Sequence, residues 1–333
     1  MQREIDLTLC SLQQVFRGYI DDISGGTIDN QRLHDLILCT VLFNFQQRGF
    51  RFHAGKAQLL ADKIRLVGYN VDALGITPSP NEGIFEALKR RDHSNIRAVQ
   101  KTLGSLQWFS IFVPNFSYSV RSLTRLLKQE NRNGHKVNFT EECKKAIEEV
   151  ERYVMEIPLL IHPNVESKKK IFIAYGNEAF ACSIFQMSKE NKRELVQFWS
   201  RKWTNVVTNY TGLEKVSLAV REIIKQFRSI LQGSPEIIFY TSCPTFVELA
   251  RDQQSWTKRM TKYLAHTISF TPKFLTLPER YQRDLDLLSA PIPIDESQPV
   301  PAQPSGIPES FSEISFDKLK KFPLFTLMVA VKQ

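Results

Sequence analysis

The sequence of 333 residues lacks any run of eighteen or more apolar residues, so it predicts no membrane span and no membrane partner. Its first residues, Met1-Gln-Arg-Glu, contain no apolar h-region and therefore do not form a secretory signal. The five cysteines are scattered and form no CxxC pair, which argues against a disulfide framework or a zinc site. These absences predict reduced thiols and an intracellular protein, cytoplasmic or nuclear.

The six histidines do not pair at metal-ligand spacing, and we expect them at the surface or at helix caps. What the sequence has in excess is positive charge, with a formal net charge of +9 at pH 7. Such an excess favours polyanionic partners, nucleic acid above all, over a small-molecule substrate. A hydrophobic content of 42% and a charged content of 24% are ordinary for a globular protein of about two domains.

Apolar periodicity and turn residues predict mainly helices and one hairpin before Lys170. The predicted elements are a helix over 1–15, a hairpin over 16–26, an amphipathic helix over about 30–48 and short strands over 50–78. They are followed by a helical pair over 95–130, which Ser94 or Asn95 can cap and Pro114 with Asn115 breaks, and by a helix over about 140–154. After Lys170 the order β-β-β-α-β-α predicts an α/β layer. Its elements are strands at 171–175, 181–185, 195–199 and 236–241, and helices over about 211–232, 244–251 and 254–266.

The C-terminal part gives weaker signals. Residues 291–310 are rich in proline and serine and are expected to be disordered. The apolar stretch 322–331 is too short to span a bilayer and fits no predicted element.

Tyr19-Ile-Asp21-Asp22 is the motif most indicative of chemistry. Two adjacent acids on a tight turn repel each other unless a cation lies beside them, and Mg²⁺ prefers such oxygens together with substrate phosphates. Carboxylates of this kind hold the metal ions in two-metal phosphoryl transfer. The alternative for an isolated tetrapeptide is a solvated Asp-Asp turn.

The surrounding segments resemble the reverse transcriptases of long-terminal-repeat retrotransposons and retroviruses. Tyr19-Ile-Asp21-Asp22-Ile is similar to the family's YxDD box, and Leu66-Val-Gly68-Tyr69-Asn-Val resembles its primer-grip hairpin. The segments 99–108 and 112–116 resemble its thumb, and the match is collinear to about residue 290. The resemblance implies a truncated palm, a helical thumb and Mg²⁺ as the cofactor.

The thumb-like segment also has a pattern of its own. Gln100, Gly104 and Trp108 are four residues apart and share one helix face. Glycine within a helix costs about 1 kcal/mol relative to alanine, which indicates a close approach by another group. The resemblance implies that this face, with Arg97 and Lys101 nearby, follows the minor groove of a template–primer duplex. The alternative is a tight helix crossing inside a protein core.

The family's polymerase site needs a third carboxylate from a strand upstream of the YxDD box, and this chain starts after that strand. Asp21 and Asp22 would lack their metal-binding partner, so polymerisation by this chain alone is not expected. An active enzyme would require another Pol chain to supply the missing strand.

The second half resembles the ribonuclease H domain that follows reverse transcriptase in these elements, through segments such as 198–204, 209–215 and 227–233. That fold cleaves RNA with about four carboxylates that grip two metal ions. Ala174, Val216 and Ser242 stand where the family has three of these acids, and Asp286 alone keeps the fourth. Glu214 lies on a different part of the helix from Val216 and is a poor substitute. The resemblance therefore implies an inactive nuclease that binds Mg²⁺ weakly at most.

The sequence thus predicts an α+β and α/β chain. Its predicted parts are a palm remnant over 1–78, a helical thumb-like region over 79–165, a ribonuclease-H-like domain with a mixed sheet and flanking helices over 168–290, and a linker with an unplaced tail over 291–333. The palm hairpin would lack neighbouring strands, so an exposed sheet edge and partial disorder are expected before about residue 75. Three functions remain open: an inactive Pol-derived protein that binds RNA–DNA hybrid or duplex DNA, a polymerase completed by another chain, and a host-adopted binding or scaffold protein.

Overall fold

A computed structural model describes the chain in several stretches. They are residues 2–20, 22–27, 31–79, 83–129, 137–156, 159–251 and 256–277, and the backbone of 324–332. The chain forms two compact units, one of Met1–Pro80 with Ile307–Gln333 and the other of Asn81–Gly306. The finer division made from the sequence, into parts over 1–78, 79–165, 168–290 and 291–333, stays a prediction. No helix in the described stretches is both long and apolar enough to cross a membrane.

The first unit has two helices and eight strands within the described residues. In chain order they are α1 (Gln2–Thr8), β1 (Phe16–Tyr19), β2 (Asp22–Thr27), α2 (Gln31–Gln47), β3 (Phe50–Phe52), β4 (Gln58–Ala61), β5 (Lys63–Leu66), β6 (Tyr69–Asp72), β7 (Gly75–Pro78) and, from the far end of the chain, β14 (Leu324–Lys332). These bounds confirm the predicted hairpin, the long amphipathic helix and the short strands that follow it.

The predicted first helix was too long. It ends at Thr8 rather than near residue 15, and hydrogen-bonded turns carry the chain on to β1. Ile5 and Leu9 are both fully buried, and they join Phe16 and Ile23 of the hairpin in the core of this unit. A continued helix would carry the chain away from the hairpin, whereas the turns bring β1 back against α1.

The unplaced apolar tail contains a strand. β14 pairs with β2 in antiparallel register, from Leu324 opposite Thr27 to Val329 opposite Asp22. It lies inside a five-stranded sheet of order β1-β2-β14-β3, with β4 also paired to β14. The prediction that the hairpin lacks a neighbouring strand was therefore wrong, because a strand distant in sequence covers that edge.

Buried histidines also correct an expectation. His34 of α2 is fully buried, and its Nδ1 lies 2.9 Å from the Thr27 hydroxyl of β2. His93 in the second unit is buried as well. Each ring fills core space and meets a threonine hydroxyl, a pairing that sequence spacing does not reveal.

The second unit contains nine helices and six strands within the described residues. They are α3 (Ile84–Arg90), α4 (Ile96–Gln107), α5 (Phe116–Ser119), α6 (Arg121–Gln129), α7 (Glu141–Glu156), β8 (Leu160–Ile161), β9 (Lys169–Tyr175), β10 (Ala179–Met187), β11 (Arg193–Lys202), α8 (Gly212–Gln226), α9 (Arg228–Leu231), β12 (Ile237–Thr241), α10 (Pro244–Arg251), α11 (Lys258–Leu264) and β13 (Lys273–Thr276). The element order confirms the predicted change from helices to an α/β layer.

The helical part of this unit has a core of its own. Val99 and Leu106 of α4 pack with Leu123 of α6 and Ile147 of α7 in one apolar cluster. The side chain of Asn95 accepts a hydrogen bond from the Ala98 amide at 2.9 Å, so Asn95 rather than Ser94 is the cap of α4.

The sheet of the second unit has the order β11-β10-β9-β12-β13. Strands β9 to β11 are antiparallel, whereas β12 is parallel to both β9 and β13, so the sheet is mixed as predicted. Thr211 caps α8 in a capping box with Glu214. The predicted helix over 211–232 is interrupted at Phe227, which leaves helical geometry and packs edge-on against Trp199 at 5.5 Å.

Candidate nucleic-acid interface and nuclease positions

The acidic hairpin of the first unit places Asp22 at the start of β2, opposite Tyr19 of β1. Asp21 lies outside the described residues. Ile20, which follows β1 in the chain, adopts a left-handed φ of 59°. Its amide donates a 2.6 Å hydrogen bond to the side-chain oxygen of Gln2. The strand on the other side of Asp22 is β14, where Val329 is the paired residue.

Gly68 and Tyr69 lie at the tip of the β5–β6 hairpin. Val67 and Gly68 both have positive φ, 48° and 85°, as a two-residue type I′ turn requires. Leu66 and Tyr69 close this turn as the last pair of the ladder. Tyr69 is half-buried, and burial raises the pKa of its hydroxyl to about 12, so the group is neutral at physiological pH.

The α4 helix of the second unit exposes one continuous face. The predicted residues Arg97, Gln100, Lys101, Gly104 and Trp108 are all exposed. At about 100° per residue they fall within roughly 60° of Gly104, which stands at the centre of the face. The opposite face carries Val99, Thr102 and Leu106, all buried. The structure therefore brings the five predicted residues together on one surface.

The surroundings of Gly104 distinguish between a duplex-binding face and a tight helix crossing inside a protein core. A Cβ atom built at Gly104 meets nothing within 4 Å, so the glycine does not serve a tight crossing with another described helix. Trp108 continues the helical backbone with φ −59° and ψ −34°, and its side chain is 39% exposed. The exposed surface of α4 is thus open at the position where a glycine permits close approach.

A shallow depression of about 440 Å³ lies beside this face and is lined by Lys101, Gly104 and Trp108 of the predicted set. Arg91, Ser105, Ile84 and Phe109 complete its lining. The guanidinium of Arg91 donates a 3.2 Å hydrogen bond to the hydroxyl of Thr102. The depression therefore combines two cations with an indole ring.

Arg91 was not predicted from the sequence. The same Thr102 hydroxyl lies 2.9 Å from Nε2 of His93, whose ring stacks on Phe139 at 3.8 Å. Burial, and then the positive charge of Arg91, lower the pKa of His93, so the imidazole is neutral beside the guanidinium. The basic pair Arg90-Arg91 ahead of the Asn95 cap was the available signal, although no spacing rule links it to α4.

The nuclease positions lie elsewhere in the second unit. Register pairs Thr241 of β12 with Ile173 of β9, so Ala174 and Ser242 follow at neighbouring positions on the two parallel strands. Ala174 is buried in an apolar cluster with Phe172 and Tyr240, whereas Ser242 is exposed. Val216 of α8 is fully buried in the other cluster, which includes Ile173. Because neighbouring strand residues face opposite sides of a sheet, Val216 and Ala174 belong to different sides of β9. Asp286 lies outside the described residues.

Glu214 is committed to structural contacts. Its carboxylate accepts hydrogen bonds from the Thr211 amide at 3.0 Å and from the Arg259 guanidinium at 2.6 Å. Burial would raise the pKa of Glu214, but these hydrogen bonds outweigh it and hold the pKa below its usual value. The carboxylate is therefore ionised and paired with Arg259.

Comparison with known proteins gives matches over most of the chain. Residues 139–238 match the family described as the RNase H-like domain found in reverse transcriptase. The chain is 22% identical over 285 residues to the transposon Tf2-3 polyprotein of Schizosaccharomyces pombe, a match that covers 85% of this chain and 21% of the polyprotein. It is 22% identical over 263 residues to the Tf2-7 polyprotein, covering 78% and 19%.

Two solved structures share the fold. A foamy viral protease-reverse transcriptase in complex with an RNA/DNA hybrid superposes with a TM-score of 0.67 and 18% identity, covering 92% of this chain and 40% of the viral chain. The same kind of enzyme in complex with double-stranded DNA gives 0.64 and 18%, covering 84% and 57%. The chain is similar to retroelement Pol proteins over most of its own length. It spans about a fifth of the length of the yeast polyproteins.

The resemblance implies Mg²⁺ as the cofactor, and the described residues permit a test of that implication. The three described nuclease positions are Ala174 with a buried methyl group, Val216 with a buried isopropyl group, and Ser242 with an exposed hydroxyl. None supplies the anionic oxygen that Mg²⁺ prefers. Within the described stretches no three His, Cys, Asp or Glu side chains lie close enough together to hold a metal ion. The donor set at these three positions does not fit Mg²⁺.

Tyr175 and Lys215 lie near the strand end where the resemblance places the family's acids. Burial, followed by the neighbouring Cys243 thiol, raises the pKa of Tyr175 to about 12, so this hydroxyl is neutral at physiological pH. Lys215 is buried next to Val216, and its ammonium donates to the side chain of Asn177 at 3.4 Å. Neither the Tyr175 hydroxyl nor the Lys215 ammonium supplies the negative charge that a nuclease needs at this position.

Proposed function

We propose that this chain binds a double-stranded nucleic acid, an RNA–DNA hybrid or duplex DNA, through the exposed face of α4, and that it leaves the RNA strand uncleaved. Recognition is of the backbone and of helix shape, without sequence preference. The observation that carries the proposal is the open, glycine-centred face with Arg97, Lys101 and Trp108 around it.

The chemistry of this face suits a duplex. Arg97 and Lys101 are exposed cations that can neutralise phosphates, and the net charge of +9 adds a long-range attraction. Gln100 can donate and accept hydrogen bonds, and Trp108 offers an apolar surface. Gly104 lets another surface approach the helix backbone at the centre of the face. The foamy viral relatives of the same fold, which bind double-stranded DNA or RNA/DNA hybrid, support this choice of ligand.

Absence of cleavage is proposed from the donor groups. Hydrolysis by two metal ions requires carboxylates that concentrate positive charge at the scissile phosphate. The replacement of three of them by Ala174, Val216 and Ser242 removes that negative field. Lys215 and the neutral hydroxyl of Tyr175 do not restore it.

The test is a titration of the full chain against a labelled RNA–DNA hybrid across a salt series, with Mg²⁺ present. Lys101→Ala should weaken binding and reduce the slope of log affinity against log salt by about one, because one phosphate contact is lost. Lys145→Ala is the matched control, since Lys145 is an exposed lysine on α7 of the same unit. It carries the same loss of charge and should leave the slope unchanged.

Two results would contradict the proposal. Equal slopes for Lys101→Ala and Lys145→Ala would mean that binding follows net charge rather than the α4 face. An unchanged affinity for Trp108→Ala at moderate salt would exclude the indole from the interface. Separately, Mg²⁺-dependent cleavage of the RNA strand by the pure chain would refute the proposed loss of nuclease activity.

A further inference from the structure

The five-stranded sheet of the first unit depends on a strand from the opposite end of the sequence. β14 pairs with β2 through six residues on one side. On its other side it pairs with β4 through Phe325 and Leu327, and with β3 through Ala330, Val331 and Lys332. Within the described residues, β14 is the only strand through which the β1–β2 hairpin is joined to β3 and β4.

This arrangement defines a slot. Without β14, the edge of β2 and the facing edges of β3 and β4 would each present unpaired backbone N–H and C=O groups. Such groups are costly to leave unsatisfied and readily pair with an added strand. The occupant has to run antiparallel to β2, β3 and β4, and it needs about nine residues to reach from Thr27 at one end to Phe50 at the other.

We propose that the first unit is a strand-accepting domain, and that its β2/β3/β4 slot is a binding site for an extended apolar peptide whose natural occupant is the chain's own segment Leu324–Lys332. The segment Leu-Phe-Thr-Leu-Met-Val-Ala-Val-Lys is rich in β-branched and other apolar residues and contains no acid, glycine or proline. That composition favours an inner strand. Affinity in such a site comes mainly from main-chain hydrogen bonds.

The inference is independent of nucleic-acid binding, because α4 belongs to the other unit. A separate peptide can fill the β2/β3/β4 slot only when β14 is prevented from pairing. A substitution at Leu327 should prevent that pairing. Leu327 is paired with Ser24 of β2 and with Gln58 of β4, so its amide lies between two strands. Proline has no amide hydrogen and is excluded from inner strands.

The experiment compares hydrogen exchange of the β2 amides in the full chain and in Leu327→Pro. We expect exchange at Asp22–Thr27 to become faster by at least about tenfold in the variant, the effect of losing one or more backbone hydrogen bonds. Ser305→Pro, placed within the sequence Pro-Ser-Gly ahead of the strand, is the control and should exchange like the parent. Unchanged protection in α8 reports that the second unit is still folded.

The second measurement adds a synthetic peptide of residues 320–333 to each protein. The peptide should bind Leu327→Pro saturably and return the β2 amides to slow exchange, whereas a scrambled peptide should do neither. The parent chain, whose slot is filled, should bind the peptide more weakly. Two results would overturn the proposal: protection of β2 that is the same in Leu327→Pro as in the parent, and fast exchange that the peptide fails to slow at any concentration.

Discussion

Replacing Gly104 by alanine separates binding from stability. Gly104 lies in the last third of α4, it is exposed, and an added Cβ meets nothing within 4 Å. Alanine is favoured over glycine in a helix by about 1 kcal/mol, and no clash offsets this gain. In a unit of roughly 200 residues, 1 kcal/mol raises the melting temperature by about 2–4 °C.

The same methyl group should weaken nucleic-acid binding. It stands at the centre of the face formed with Arg97, Gln100, Lys101 and Trp108, where a duplex would approach the helix backbone. An extra methyl group in a close-packed contact costs about 1–3 kcal/mol, which corresponds to a roughly 5- to 150-fold loss of affinity. We therefore expect a protein that is more stable and yet binds less tightly.

Thermal unfolding and fluorescence anisotropy with a labelled hybrid measure the two quantities on the same sample. The stability measurement serves as the control, because a more stable variant cannot owe weaker binding to unfolding. Unchanged affinity of Gly104→Ala would refute the assignment of this face as the contact surface. A lower melting temperature would show instead that glycine is needed for packing, the alternative that the open surroundings of Gly104 argue against.

Three further predictions concern Lys169, Gly18 and the nuclease positions Ala174 and Ser242. Burial lowers the pKa of Lys169 from 10.5 to about 8. As the pH rises, the Lys169 ammonium therefore loses its proton at a lower pH in the folded state than in the unfolded state. Unfolding free energy should rise between about pH 8 and 10.5, by at most about 3 kcal/mol, and Lys169→Met should remove that rise in denaturant titrations at several pH values. Gly18→Ala would place a Cβ 2.3 Å from Ile5 and should destabilise the first unit by about 1–3 kcal/mol; an unchanged denaturation midpoint would contradict this packing. Ala174→Asp with Ser242→Asp should not restore Mg²⁺-dependent cleavage, which a nuclease assay checks, because Val216 still supplies no carboxylate.

Local elements were predictable because their causes are local. The Asn95 cap, the capping box of Thr211 and Glu214, and the switch to β-favouring runs after Lys170 are each determined by residues a few positions apart. The α4 face was predictable for the same reason, since Gln100, Gly104 and Trp108 repeat at the helical period. The failures were at helix ends, where α1 stops at Thr8 and α8 breaks at Phe227 because buried side chains redirect the chain.

The sequence by itself thus determined the family resemblance, the local elements, and the residue types that stand at the nuclease positions. Only the tertiary structure decided that Gly104 is open to solvent and that Arg91 joins the α4 depression through Thr102. Only it decided that Leu324–Lys332 completes the sheet of the N-terminal hairpin. The physical reason is common to all three: which surface stays exposed, and which strand pairs with which, depends on contacts between residues far apart in the chain, and no period or cap encodes them.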